Sequence, residues 1–302
     1  MKKILLFSCL IVLIPIFVVN MFFKKEEINF LYLDDTKIRV KRSDNTIDEV
    51  YLEDYVVGVI AGEMPINFEE EALKAQSVAS RTYGLKKMME NKNNDYDVVD
   101  TIMNQVYLDY EYLKNVWGDK YIDNINKLKN VVKNTKGEYL VYNNEIIDAL
   151  FFSTSTGYTE NSEEVFKNKV PYLRSVESKW DEISPAYKDQ KKYLSNEFYH
   201  RLNIDYNDNL VIEYNKKTST GRNIELTING IKFKSSDIVS KLELRSSYFN
   251  IIKQNNEVII NTKGYGHGVG MSQYGAQGMA LANKKYDEIL NYYYKNTKIV
   301  KN

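Results

Sequence analysis

The residue best placed to do chemistry is Glu63, in the tetrapeptide Gly62-Glu63-Met64-Pro65. It stands at a break between an apolar helical stretch and a second helix, flanked by a residue with no side chain and two without charge. A carboxyl entering an apolar cleft there is desolvated, which raises its pKa and keeps it partly protonated near neutrality, as general-acid work requires. A solvated interhelix glutamate is the competing reading. The second candidate is GYGHGVGMSQYGAQGMA at 264–280, which holds Gly264, Gly266, Gly268, Gly270, Gly275 and Gly278. Such density marks left-handed backbone or close main-chain approach, a candidate site wall. It lacks the Gly-Lys-Ser/Thr ending of a P-loop, and its spacing is not the dinucleotide fingerprint. His267 within it could orient a substrate or a catalytic group, or simply stabilise the loop. Ser153-Thr154-Ser155-Thr156 offers hydroxyls, but with no elbow-type motif and few histidines it reads as a polar, substrate-facing loop. His200, between Tyr199 and Arg201, reads as a surface residue.

Scarcity narrows the chemistry further. One Cys and two His cannot supply a four-ligand Cys/His zinc site, and a lone Cys closes no intramolecular disulfide. With 41 Lys+Arg against 41 Asp+Glu and no long basic run, the chain lacks the electrostatic footprint of a nucleic-acid binder. A neutral polymer is the better partner class. The 25 Tyr suit sugar stacking, but strands also take Tyr readily, so the excess decides nothing alone.

The elements that must position these residues begin with a membrane segment. Ile4 to Phe23 is a 20-residue run without charge, enough as a helix to span the roughly 30 Å hydrocarbon layer. It reads as an uncleaved signal anchor. A cleaved signal peptide competes, but its apolar region is shorter and ends in a small-x-small site that Val-Val-Asn-Met-Phe-Phe lacks. Lys2 and Lys3 argue for a cytoplasmic N-terminus, weakened by Lys24 and Lys25. Cys9 falls inside this run, so the remainder is thiol-free.

Beyond it, period-2 alternation at 28–33, 37–42 and 46–52 predicts strands. Leu52, Val56, Val59 and Ile60 recur at helical spacing until Pro65, and the loop after this helix is expected to carry Glu63. Asn67 and Glu70 have capping-box spacing before a central helix whose Ala72, Ala75, Ala79 and Tyr83 form one stripe. Gln76 shares that side. Ile122 to Val132 predicts another helix, and 138–142 with 145–152 a hairpin about Asn143-Asn144. Residues 190–262 read as a separate unit, with a helix near 196–202, strands at LVIEY, NIELTI and EVIIN, and a short helix after Ser236. A final helical run starts at Asp287. The length suits about two domains of roughly 150 residues. The expected fold class is α+β: an anchor at 1–27, a mixed helix/strand catalytic domain at 28–189 plus 263–302, and a smaller α+β domain at 190–262 lining a substrate cleft.

Several segments together resemble the stage II sporulation protein D family, membrane-anchored lytic transglycosylases of endospore-forming bacteria. They are LEDYVVGVIAGEMP, EALKAQSVASRTY, FFSTSTGYTENSEEVF with VPYLRSV, ELRSSYF, and GYGHGVGMSQYGAQGMA with YYYKNT. The resemblance implies cleavage of the β-1,4 bond between N-acetylmuramic acid and N-acetylglucosamine in denuded peptidoglycan, leaving a 1,6-anhydro sugar, during septal wall remodelling and engulfment. Glu63 would be the catalytic acid. Arg81 matches the family's Arg-Thr-Tyr and either binds a substrate carboxylate or holds an ion pair. Gln76, Tyr83, Lys179, His267, Ser272 and Gln273 would line the cleft. The implied partners are stage II sporulation proteins P, an amidase, and M, a membrane scaffold. A non-catalytic glycan-binding scaffold that recruits or activates an amidase is the alternative. Some relatives carry Cys and His near the FFSTSTGYT segment as metal ligands; those types are absent here, so no zinc and no other cofactor is expected.

Overall fold

The computed structural model of the protein describes residues 35–101 and 104–301. Two predictions, the Ile4–Phe23 anchor and the strand at 28–33, lie outside them. Among the described residues no helix is long and apolar enough to cross a membrane.

The alternation after residue 36 produces an antiparallel ribbon, Lys37–Lys41 against Ile47–Tyr51, with Lys37 opposite Tyr51 and Lys41 opposite Ile47. Its inward side chains, Ile38 and Val40, are fully buried. The chain then passes directly into the helix Leu52–Glu63, and a short turn leads to the central helix Glu70–Glu90. Ala72, Ala75 and Ala79 have no exposure, and those small side chains admit the neighbouring helices closely. Ile60, Leu73 and Ile125 fill the same core, each worth about 1.5–3 kcal/mol of apolar burial. The helix Tyr121–Asn134 packs on both of the preceding ones.

The central helix begins differently from the expectation. Its N-cap is Glu69, and no side chain caps it locally. Asn67 and Glu70 form no capping box, because Phe68 N–H turns back to the Pro65 carbonyl and the Glu69 N–H is taken by Gln277 Oε1 at 2.8 Å. A distant residue supplies the cap.

The expected hairpin forms about Asn143 and Asn144, both at positive φ, but its second strand ends at Ile146. Asp148 leaves the ladder, its N–H bonding the Tyr172 hydroxyl. Phe151–Phe152 then pairs in parallel with Met271–Ser272 instead. That second ladder carries the glycine-rich segment, which is also not all loop: Gln273–Leu281 is a helix. Gly275 and Gly278 lie within it because a Cβ at either would strike Tyr293 or Trp180. The terminal helix is Tyr286–Tyr293.

A second hydrophobic cluster draws only on residues between Tyr193 and Ile260. It sits beneath the sheet of Lys188–Leu194, Glu257–Lys263 and Phe249–Gln254 and the sheet of Ile212–Lys217, Asn223–Ile228 and Ile231–Lys234. The helices Ser195–Leu202 and Ser235–Lys241 cover it. Glu160 and Arg222, both buried, form an ion pair at 3.2 Å that ties this unit to the rest.

Candidate active site

Glu63 is the last residue of its helix, not part of the following loop. Met64 is already extended, as a residue before proline must be, and Pro65 has no N–H to continue the ladder. The helix presents Gly58 and Gly62 four residues apart, so on one face. Residues 106–108 run along that face, with Leu108 N–H bonded to the Gly58 carbonyl at 3.2 Å. A Cβ at Gly62 would stand 2.9 Å from the Val106 carbonyl oxygen, and one at Gly58 2.5 Å from that of Leu108. The two glycines therefore permit an approach that lets Val106 N–H donate to Glu63 Oε1 at 2.8 Å. The passing segment is pinned by the buried bond from Tyr55 O–H to Gln105 Oε1, 2.9 Å.

The opposite side of the carboxyl is set by the helix Gln273–Leu281. Tyr274 meets Phe68 edge to face at 5.0 Å between ring centres, and Gln277 caps the central helix, so this helix is clamped onto the turn just after Glu63. Its first residue, Gln273, is 5% exposed and directs its amide toward the Glu63 carboxyl, favouring the charged form. Gln273 Nε2 nevertheless completes no hydrogen bond. Burial outweighs both donors and pushes the Glu63 carboxyl above the usual carboxylate range. A half-buried acid that binds its proton more tightly than a free glutamate, beside an amide with spare donor capacity, can protonate a bridging oxygen and take a proton back afterwards.

Behind Gln273 lies a polar hub that sequence reasoning missed. Ser272 caps the helix, accepting from Gly275 N–H at 3.3 Å, and its hydroxyl donates to Asp181 Oδ1. Asp181 has no exposure and also accepts from Ser155 N–H at 2.7 Å, Ser155 Oγ at 2.8 Å and Ser178 Oγ at 2.5 Å. Ser178 in turn meets the Tyr293 hydroxyl at 2.7 Å. The STST loop is thus a structural brace of the helix that faces Glu63. The local signal was only the Ser178-x-x-Asp181 spacing.

The structure brings Glu63 and Gln273 together with Ser272 immediately behind, and the other candidates make their contacts elsewhere. Gln76 is fully buried in the core, with Nε2 on Ser80 Oγ at 3.0 Å. Arg81 is 1% exposed and grips both oxygens of Glu53, at 2.8 and 2.5 Å. Of the two roles open to it, this is the geometry of the ion pair. Tyr83 is buried and accepts from Asn104 Nδ2 at 2.8 Å. Lys179 is exposed, with its ammonium over the Trp180 ring at 5.8 Å. His267 lies between Phe152 and Phe166 and accepts from Val269 N–H at Nδ1, 3.1 Å. Burial, and then the nearby Arg222 charge, lower its pKa to about 4, so the ring is neutral and braces its loop. Among the described residues no group of three or more His, Cys, Asp or Glu converges as a metal ion would need.

Comparison with known proteins places these features in context. The sequence model of the family described as Stage II sporulation protein matches residues 41–142, the stretch holding Glu63 and its Val106 partner. The chain is 40% identical over 264 residues to Stage II sporulation protein D of Bacillus subtilis, covering 86% of this chain and 77% of that one. It is 41% identical over the same length to Stage II sporulation protein D of Bacillus amyloliquefaciens. The Amidase enhancer of Bacillus subtilis is 29% identical over 298 residues, covering 80% of this chain but only 39% of the enhancer.

Proposed function

The chain belongs to the stage II sporulation protein D family, and from that membership we propose that it is a peptidoglycan lytic transglycosylase acting through Glu63 alone. The observation that carries this reading is the Glu63 carboxyl, raised in pKa by burial and held at the end of its helix by Val106 N–H. Hydrolytic glycosidases generally need two carboxyl groups, one to protonate the leaving oxygen and one to activate water or attack carbon. Here Glu63 donates its proton to the oxygen linking N-acetylmuramic acid to N-acetylglucosamine, and the C1–O bond breaks. The muramic C6 hydroxyl attacks C1 in place of water and returns its proton to the Glu63 carboxylate. The enzyme is regenerated, and the product is a 1,6-anhydro sugar. Holding that hydroxyl near C1 makes the attack unimolecular, which lowers the entropic part of the barrier. Gln273, with its unused Nε2, is assigned to orient the acid or the sugar beside it. The substrate is the denuded glycan strand, and the setting is septal wall remodelling and engulfment. The protein is anchored by Ile4–Phe23 with residues 190–262 as a second domain beside the cleft, and stage II sporulation proteins P and M are its partners.

A second reading is favoured by the likeness to the Amidase enhancer: a glycan-binding scaffold that recruits or activates an amidase without cleaving sugar bonds. One experiment separates the two. Full-length protein is incubated with denuded and with intact peptidoglycan, with and without the amidase, and products are read by mass spectrometry. Anhydro-muramic ends from denuded strands support the lytic reaction. Reducing muramic ends, heavier by one water, identify a muramidase. Unchanged strands with amidase stimulation identify the scaffold.

A further inference from the structure

A cavity of about 720 Å³ lies on the solvent side of the sheet formed by Lys188–Leu194, Glu257–Lys263 and Phe249–Gln254. None of its lining residues takes part in holding Glu63. The register defines its floor. Lys263 pairs with Lys188, and Asn261 pairs with both Gln190 and Asn250. Paired residues share a face, so an amide row, Gln190-Asn261-Asn250, crosses the sheet beside a pair of lysines. The alternate residues Phe249, Ile251, Val258 and Ile260 point into the core, which leaves the amide face outward.

One wall is aromatic. Tyr248 precedes the edge strand, and Gly221, at φ +98°, sits so near its ring that a Cβ there would be 3.2 Å away. Lys217 reaches the cavity from the neighbouring hairpin, and the Lys263 ammonium stands 5.9 Å from the Tyr248 ring centre. The lining carries three lysines against one carboxylate, Asp189, which faces Arg245 at 3.5 Å.

We propose that this face is a binding site for a carboxylate-bearing glycan strand, separate from the residues around Glu63. The chemistry fits each part of such a chain. An aromatic ring takes the C–H face of a pyranose, side-chain amides exchange hydrogen bonds with hydroxyl and acetamido groups, and lysines meet a carboxylate that recurs along the polymer. Both N-acetylated sugar and lactyl carboxylate are present in a denuded wall strand, so the choice of polymer rests on the function proposed above. A site of this kind holds the strand while the acid acts, and its contribution grows with strand length.

The test measures binding apart from cleavage, in full-length protein carrying Glu63→Gln. Denuded glycan, carboxylate-free N-acetylated chitin oligomers and poly(glycerol phosphate) are the probes. Tyr248→Ala is expected to weaken binding of denuded glycan about tenfold, the size of one aromatic contact. Lys188→Glu, on an exposed residue, should do the same if Tyr248→Ala does not fold. Chitin should bind more weakly than denuded glycan, and the Lys188 variant should abolish that difference. Parent-like affinity in both variants overturns the proposal, as does tighter binding of poly(glycerol phosphate) than of denuded glycan. Release of anhydro sugar is assayed separately, on protein with Glu63, Tyr248 and Lys188 all intact. Absence of anhydro product from that protein refutes the lytic reading alone, because Tyr248-dependent binding is scored without turnover.

Discussion

Glu63 and Asp181 are both carboxyl groups whose pKa is pushed up chiefly by burial, yet their surroundings set them to different tasks. Asp181 is sealed from solvent and accepts from Ser155 N–H and from the hydroxyls of Ser155, Ser178 and Ser272. Its hydrogen-bonding capacity is spent on joining the STST loop, the turn at Lys179–Ile183 and the helix Gln273–Leu281. Glu63 is only half-buried, holds one firm bond from Val106 N–H, and faces an amide whose Nε2 is unsatisfied. Desolvation alone therefore does not mark a reactive acid. Desolvation combined with access and unused donors beside it does.

The largest test of this contrast is Glu63→Gln, which should lower release of anhydro product by about 10²–10⁴-fold, the usual worth of a general acid, with folding intact. Mass spectrometry of digested denuded strands gives the rate, and circular dichroism the fold. Substantial retained turnover would put the reactive acid elsewhere. Asp181→Ala should instead cost stability, about 3 kcal/mol or more, because it strands several buried donors at once. A urea midpoint unchanged from the parent would mean that the hub is not a brace. Gly62→Ala tests the link between backbone and acid. The added Cβ must push Val106 away, and overpacking of this kind costs about 1–3 kcal/mol. Turnover should fall with stability here, unlike at Asp181→Asn, which keeps the shape of the hub. Tyr293→Phe removes a single hydroxyl from Ser178 and should cost only about 0.5–1.5 kcal/mol, read from thermal unfolding.

The smallest effect is one of pH and is read as a direction. The folded protein binds the Glu63 proton more tightly than the unfolded chain, whose glutamate titrates near 4.5. The stability this contributes is complete below that value and is lost as pH rises through the raised folded value. Glu63→Gln should therefore match the parent in acid and gain on it as pH rises through the folded pKa, a divergence visible in urea midpoints across that range. Turnover by the parent should fall through the same interval as the acid loses its proton.

Much of the fold was legible in short-range patterns. The Leu52–Glu63 helix, its stop at Pro65, the Ala72–Ala79 stripe and the Asn143-Asn144 turn follow from periodicity and backbone preference within a few residues. The errors share a cause. Asn67 looked like a cap, but Gln277 took the Glu69 N–H from far along the chain. Gly275 and Gly278 looked like loop residues, but they are small because Tyr293 and Trp180 press on that helix. Residues 147–150 lost their strand when Phe151–Phe152 joined Met271–Ser272. Asp181 gave almost no signal, since its partners Ser155 and Ser272 lie on other elements.

The sequence by itself determined that one glutamate stands where an apolar helix breaks off before a proline, and that few thiols and imidazoles exist to compete with it. These are matters of local backbone geometry and composition, which neighbouring residues settle among themselves. Only the tertiary structure decided what that carboxyl experiences. Its proton affinity is set by water excluded and donors delivered, and both arrive with Val106 and Gln273 on segments that meet Glu63 only when the chain has folded.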